Sequence, residues 1–366
     1  MSSSLVLTNC FFCSFAALLL IPILRQPNML NYKKGIPIFI ISILVFDKLL
    51  LPYEFSFTHT LSSKKILPTI KLIENLHIFK SLTVGHVFLY IWLFIAVLFL
   101  MCVTFRHWKL IQILSIIPGS TNKEINQLIS ELCNDKQIRN KPKVVQLNYD
   151  SSPFIVGVRN PIIVIPNFQL SNNENRFILS HELEHLKHYH IIIKTCLEIV
   201  AAIYWWNPIV WLLRREVICA MELQADTKVM QELSNKSSLS YLETLLHLSK
   251  KEQQPALALS FALKNSMTEY RIRTAIKYSY YHKKIKTTIL DLLPLVLSIV
   301  ILLFSFGYTF ESYNVNPTDV GGTFIINPKT DYFVLREDNS YDLYINKKYV
   351  MTTTNIPNEL SYLSIH

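Results

Sequence analysis

The sequence predicts a mainly α-helical membrane protein, with four transmembrane helices and a cytoplasmic α+β domain between the third and the fourth. Three observations lead there. The 366 residues are 51% hydrophobic and 17% charged, with seven glycines and a mean hydropathy of +0.28, a balance too apolar for a soluble enzyme. Four runs are long and apolar enough to cross a hydrocarbon core of about 30 Å. Between the last two lies a block from Arg106 to Thr288 with 24 Lys or Arg against 15 acids, enough chain for a domain with its own core.

The first run, Leu5 to Leu24, sits in an uncharged amino-terminal stretch. Its first basic residue, Arg25, follows the run instead of preceding it, so the helix is expected to be retained with its amino terminus outside. The second, Ile36 to Tyr53, is interrupted by Asp47 and Lys48, which are expected to pair or to reach the interface near its outer end. The third is Ser81 to Phe105, and the fourth runs from about Leu290 to Phe310 with Asp291 at its inner edge. Arg25, Lys33 and Lys34 after the first span, Arg106 and Lys109 after the third, and Lys277, Lys283, Lys284 and Lys286 before the fourth place those ends in the cytoplasm. Lys64, Lys65, Lys71 and Lys80 fall on the outer side in this scheme and run against it.

The expected organisation is three membrane helices in 1–105, a cytoplasmic domain in 106–288, a fourth membrane helix in 289–310 and a small extracytoplasmic tail in 311–366. Beyond Phe310 there are four basic and seven acidic residues, and Tyr332-Phe-Val-Leu and the segment from Tyr341 to Val350 alternate as strands do; the tail reads as a small β unit. A net charge of +10 raises the question of nucleic acid. The basic residues are scattered without aromatic interleaving, which fits a surface beside anionic lipid and gives no reason to expect direct nucleic-acid binding. The six cysteines lack paired C-x-x-C spacing; Cys10 and Cys13 form one C-x-x-C inside an apolar run, where packing is the expected role.

The segment from Ser171 to His185 carries the chemistry. Ser171 with Glu174 three residues on is a capping box, so a helix starts there. His181 and His185 lie about 40° apart around that helix and one turn along it, close enough to share one ion. Glu182 is offset by about 100°, which lets it flank the metal and hold a water as general base. This is H-E-x-x-H, a metallopeptidase signature expected by chance in about one such chain in seventy. A metzincin would need Gly at 188 and His at 191, where this chain has His188 and Ile191. His188 and His190 are read as interfacial residues, not ligands. A catalytic zinc takes three protein ligands, and the third is expected to be Glu222, with Asp226 one turn on to orient an imidazole.

Glu222 decides the path of a fifth apolar stretch, Ile191 to Leu213. If it crossed the bilayer, Glu222 and His185 would lie on opposite sides. Asn207-Pro208 supplies a turn, since Asn caps helices well and Pro suits the first helical position. The arms are then about 33 Å out and about 22 Å back, and the tip Tyr204-Trp205-Trp206 either dips into the bilayer or packs as ordinary core. Upstream, Ser152 to Pro166 reads as a short apolar hairpin whose strand edge is suited to an extended peptide.

Taken in order, Pro153-Phe-x-x-Gly-x-x-x-Pro-Ile-Ile-Val-Ile-Pro166, His181-Glu182-Leu-Glu-His185, Trp206-Asn-Pro-Ile-Val-Trp-Leu-Leu-Arg-Arg215 and Glu222-Leu-Gln-Ala-Asp226 resemble the BlaR/MecR-type membrane zinc metallopeptidases. Ser240-Tyr-Leu-Glu-Thr-Leu-Leu and Arg271-Ile extend the likeness over roughly Arg106 to Lys286. The resemblance implies a gluzincin-type domain between spans three and four, Zn2+ held by His181, His185 and Glu222, and Glu182 as catalytic base. It implies a multi-pass protein of the bacterial inner membrane that cleaves a protein or peptide, a cytoplasmic transcriptional repressor among the candidates, with a homodimer left open. The antibiotic receptors carry a penicillin-binding domain with Ser-x-x-Lys; the tail here has neither that motif nor Lys-Thr-Gly, so β-lactam sensing does not carry over. Two rival readings stay open: a transducer whose outer tail controls cleavage, and a non-catalytic scaffold with a vestigial metal site.

Overall fold

The uncharged amino-terminal run folds as α1 (Ser3–Leu24), followed by α2 (Tyr32–Leu50). The chain then forms β1 (His59–Ser63), α3 (Ile66–Glu74), β2 (His77–Phe79) and β3 (Leu82–Thr83) before the 33-residue helix α4 (Val84–Ile116). In this computed structural model the described residues are 3–25, 32–50, 55, 57–63, 66–79, 82–148, 152–167, 170–251, 269–274, 276, 289–312, 331–336, 340–345, 348–353, 356, 360 and 363–366. Among them, two helices are long and apolar enough to cross a membrane, with mean hydropathies of 2.2 for Ser4–Leu24 and 2.7 for Val84–Ile116. α4 is mostly exposed, with Phe88, Phe94 and Met101 among its outward side chains, as a lipid-facing helix would be.

The domain that follows comprises α5 (Lys123–Asp135), β4 (Lys143–Leu147), β5 (Phe154–Val156), β6 (Ile162–Pro166), α6 (Asn172–Lys187), α7 (His190–Ile203), α8 (Pro208–Gln231) and α9 (Asn235–Lys251). Residues 269–274 are helical again, designated α10. β6 is buried along its whole length, runs parallel to β4 and antiparallel to β5, and so forms the centre of a three-stranded sheet. Ile163 and Ile165 pack with Ile125 and Ile129 of α5 and Leu179 and Leu183 of α6, so the sheet sets the position of the H-E-x-x-H helix. The hairpin between β5 and β6 turns at Gly157, φ +83°, where a Cβ would meet the Asn160 carbonyl oxygen at 2.6 Å; only glycine fits there.

The largest core joins α1, α2, α7, α8 and α11 (Ile289–Gly307). Asn207 caps α8 and Pro208 begins it, and α7 and α8 form the returning hairpin that the shared ion requires. Its tip lies among the apolar helices: the Tyr204 hydroxyl donates to the Leu49 carbonyl at 2.8 Å, Asn207 Nδ2 to Ser14 Oγ at 2.9 Å, and Trp92 Nε1 to the Ile203 carbonyl at 2.8 Å. Further along α8, Glu216 accepts both Arg25 Nη2 at 2.7 Å and Nε at 3.0 Å. Ser14 and Arg25 are about 16 Å apart along α1, so the hairpin lies alongside most of that helix.

Several expectations need correction. The third apolar helix runs to Ile116, past Arg106 and Lys109, because nothing breaks it before Pro118-Gly119. The last ends at Gly307, and Tyr308–Ser312 (β7) leaves the helix to pair in parallel with β1; β-prone Tyr-Thr-Phe finds a strand partner there. Lys48 does not reach out from the bundle: it is 1% exposed, with Nζ 4.4 Å from the centre of the Phe306 ring. The basic loops Lys64-Lys65 and 277–286 lie outside the described residues.

A second unit contains 59–87 and the tail. β8 (Tyr332–Leu335), β9 (Tyr341–Ile345) and β10 (Lys348–Thr353) form an antiparallel meander, and β11 (Ser364–Ile365) adds to β8 in parallel. Phe333, Leu343, Ile345 and Leu363 form its core, the small β unit that the alternation announces.

Candidate metal centre

α6 starts where the sequence places it. Ser171 Oγ accepts the Glu174 N–H, the Glu174 carboxylate accepts the Ser171 N–H, and the capping box is complete. His181, Glu182 and His185 follow on the part of α6 that is buried. The helix ends at Lys187, and Tyr189 takes the left-handed conformation, φ 56°, which redirects the chain into α7. α8 then carries Glu222 and Asp226 back against α6.

His181 Nε2 and His185 Nε2 are 3.2 Å apart, and the two Glu222 oxygens straddle them, Oε2 at 3.4 Å from His181 and Oε1 at 3.5 Å from His185. Tetrahedral coordination with bonds of about 2.0–2.2 Å gives donor separations of about 3.3–3.6 Å. One donor atom from each of His181, His185 and Glu222 lies within 4.8 Å of the other two, close enough to converge on a single ion, and among the described residues no other group of three His, Cys, Asp or Glu side chains is so disposed.

Other side chains hold the donors. Asp226 Oδ1 is 3.1 Å from His181 Nδ1 and accepts the Tyr241 hydroxyl at 2.6 Å. Arg271, from α10, donates to Asp226 through Nε and Nη2 at 2.9 and 2.8 Å, and its Nη1 is 3.3 Å from Glu222. Lys194 of α7 reaches Glu222 Oε1 at 3.0 Å. His185 Nδ1 is 2.8 Å from His190 Nδ1. Glu184, fully buried on the same helix, pairs with Lys136 at 2.6 Å and His188 at 3.2 Å, tying α6 to α5. Glu182 is 6% exposed, and among the described residues no hydrogen bond or ion pair occupies its carboxylate.

The electrostatics favour a cation. Burial alone would lower the His181 pKa, yet Asp226 and Glu222 push it up to about 9. Burial would raise Glu222 and Asp226, but His185, Lys194 and Arg271 hold Glu222 well below the usual carboxylate range, and Arg271 and His181 hold Asp226 down. Burial, reinforced by His185, pushes His190 down to about 2, so it is neutral. A site that draws a proton onto a buried imidazole attracts positive charge.

The structure thus brings together four of the residues singled out from the sequence, His181, His185, Glu222 and Asp226, while Glu182 lies buried on the same helix as the two histidines. It corrects His190, which is not interfacial: it is 2% exposed and lies against His185. Sequence reasoning gave Lys194 no role at the site, and it used Tyr241 and Arg271 only as parts of the family likeness. A cavity of about 540 Å³ lies elsewhere, at the amino-terminal end of α6 between Asn122, Gln146, Asn167 and Asn175, and contains none of these residues.

An H-E-x-x-H helix and a carboxylate from a returning hairpin, set beside helices of bilayer length, define a membrane-associated metallopeptidase class. The chain belongs to the family described as BlaR1 peptidase M56, which it matches over residues 16–276. It is similar to the regulatory protein BlaR1 of Bacillus licheniformis, 26% identical over 203 residues, covering 54% of this chain and 34% of that one. The methicillin resistance mecR1 proteins of Staphylococcus aureus and Staphylococcus epidermidis are 25% identical over 202 residues, with 53% and 34% covered. The match spans about a third of the length of these curated relatives.

Proposed function

We propose that this protein is a gluzincin-type zinc endopeptidase of the bacterial cell membrane, crossing it four times and cleaving a protein or peptide at the cytoplasmic face in regulatory signalling. The observation that carries the reading is the convergence of His181, His185 and Glu222, with one donor atom of each within 4.8 Å of the others and the two histidines on a helix that also carries an uncommitted Glu182. His181, His185 and Glu222 would hold the ion, and Asp226 orients His181 through Nδ1. Bound zinc supplies polarisation of a peptide carbonyl and acidification of a water. Glu182 takes a proton from the attacking water and passes it to the leaving amine. β5 lies at the edge of the sheet order β4-β6-β5, and its outer edge suits an extended peptide added as a strand. Chelation of the full-length protein in lipid nanodiscs is expected to abolish cleavage of a cytoplasmic peptide library, with zinc restoring it. Cleavage that survives removal of all bound metal contradicts the reading.

A transducer function is favoured by one connection. α11 passes without a loop into β7, which pairs with β1, so the chain after α11 is joined in a sheet to the segment that follows α2. The relatives, a regulatory protein and methicillin resistance proteins, support an output in gene control, with a cytoplasmic transcriptional repressor as substrate. Deleting residues 316–366, which removes β8 to β11, is expected to uncouple cleavage in cells from its stimulus while leaving basal cleavage; stimulus-dependent cleavage that persists ends this part of the reading. The complete donor set and Glu182 argue against a vestigial scaffold.

A further inference from the structure

We infer that His190 is a positioning residue that fixes His185 in its metal-binding tautomer, an assignment that rests on the zinc reading above. The two Nδ1 atoms are 2.8 Å apart between rings whose centres are 4.9 Å apart, with both side chains buried. A hydrogen bond at that distance needs one nitrogen to donate and the other to accept. If His190 donated, His185 would carry its own proton on Nε2, pointing at His181 Nε2 3.2 Å away, and would have no lone pair for a metal. With the proton on His185 Nδ1, the Nε2 lone pair faces His181 and Glu222, and His190 accepts as a neutral imidazole protonated on Nε2.

The backbone is built for this contact. In an unbroken helix a residue five positions on lies about 140° away around the axis, so His190 would face away from His185. The left-handed Tyr189 breaks the helix and swings His190 back under the ligand. The two ligands are therefore held by different acceptors, His181 by the Asp226 carboxylate and His185 by an uncharged ring. An uncharged acceptor also suits Lys194, one turn further along α7, which is committed to Glu222. A carboxylate at 190 would compete for that ammonium at i,i+4 spacing.

Asn and Leu at position 190 separate the hydrogen bond from packing. Asn Oδ1 occupies the same place in the side chain as His Nδ1 and can accept; Leu has nearly the same shape and cannot. In the full chain, zinc affinity measured by competition with a calibrated chelator is expected to fall about 10–100-fold in His190→Leu, and His190→Asn should stay close to wild type. The cobalt(II)-loaded protein reads the same contrast: the d–d bands should move in the Leu variant only, and unfolding temperatures in excess chelator should match between the two. Wild-type affinity in His190→Leu, or equal losses in both variants, overturns the role of His190. If the Leu variant does not fold, weak zinc binding by a folded His190→Asn overturns it as well. Failure of the wild-type protein to bind zinc would instead defeat the proposed function.

Discussion

Changing Glu182 to Gln is expected to leave the zinc content of the purified protein unchanged and to lower its cleavage rate by about 10²–10⁴-fold. Glu182 lies between the two histidines on α6, about 100° around the helix from His181, and is buried; the grouped donors are His181, His185 and Glu222. Gln preserves its shape and removes the charged oxygen that accepts a proton. No partner among the described residues depends on that carboxylate, so the variant should unfold at nearly the wild-type temperature. Metal analysis alongside initial rates on a peptide substrate checks the point, and full activity in the variant would remove Glu182 from the chemistry.

The same chemical change at Glu222 should do the opposite. Glu222→Gln is expected to lose zinc, by more than the roughly 10–100-fold typical of residues that only orient a ligand, and to lose cleavage with it. A neutral amide is a poor third donor beside two imidazoles, and its loss of charge also leaves Lys194 and the Nη1 end of Arg271 facing no anion. The metal-free variant should therefore also be less stable than metal-free wild type. Isothermal titration with zinc reads the first effect and thermal unfolding in chelator the second. Unchanged zinc affinity would mean that a different residue completes the set. Together the two Glu→Gln variants separate a base from a ligand, because one changed carboxylate is needed for proton transfer and the other for charge and coordination.

Local patterns predicted what local forces decide. The capping box at Ser171 and Glu174, the cap and first-turn proline at Asn207-Pro208, and the short hairpin within Ser152 to Pro166 all form as their residue types require. The return of Glu222 to the histidines followed from a constraint: one ion cannot be shared across a bilayer. Where expectation failed, contacts distant in sequence were responsible. Lys48 is expected to pair with Asp47 or to reach an interface, but it is buried inside the bundle with its ammonium over the ring of Phe306, far along the chain. The last apolar helix stops at Gly307 because β1 offers Tyr308–Ser312 a strand partner.

The sequence by itself determined that His181, Glu182 and His185 share one helix with the two imidazoles a turn apart, since that spacing is set by the 3.6-residue turn and needs no neighbour to be read. Only the tertiary structure decided what holds them: Tyr241 and Arg271 on Asp226, Lys194 on Glu222, and His190 on His185. Those partners come from α7, α9 and α10, or from beyond a break in the helix at Tyr189, and no periodicity links them to the motif. Their positions depend on how the helices pack, and packing is a property of the whole chain.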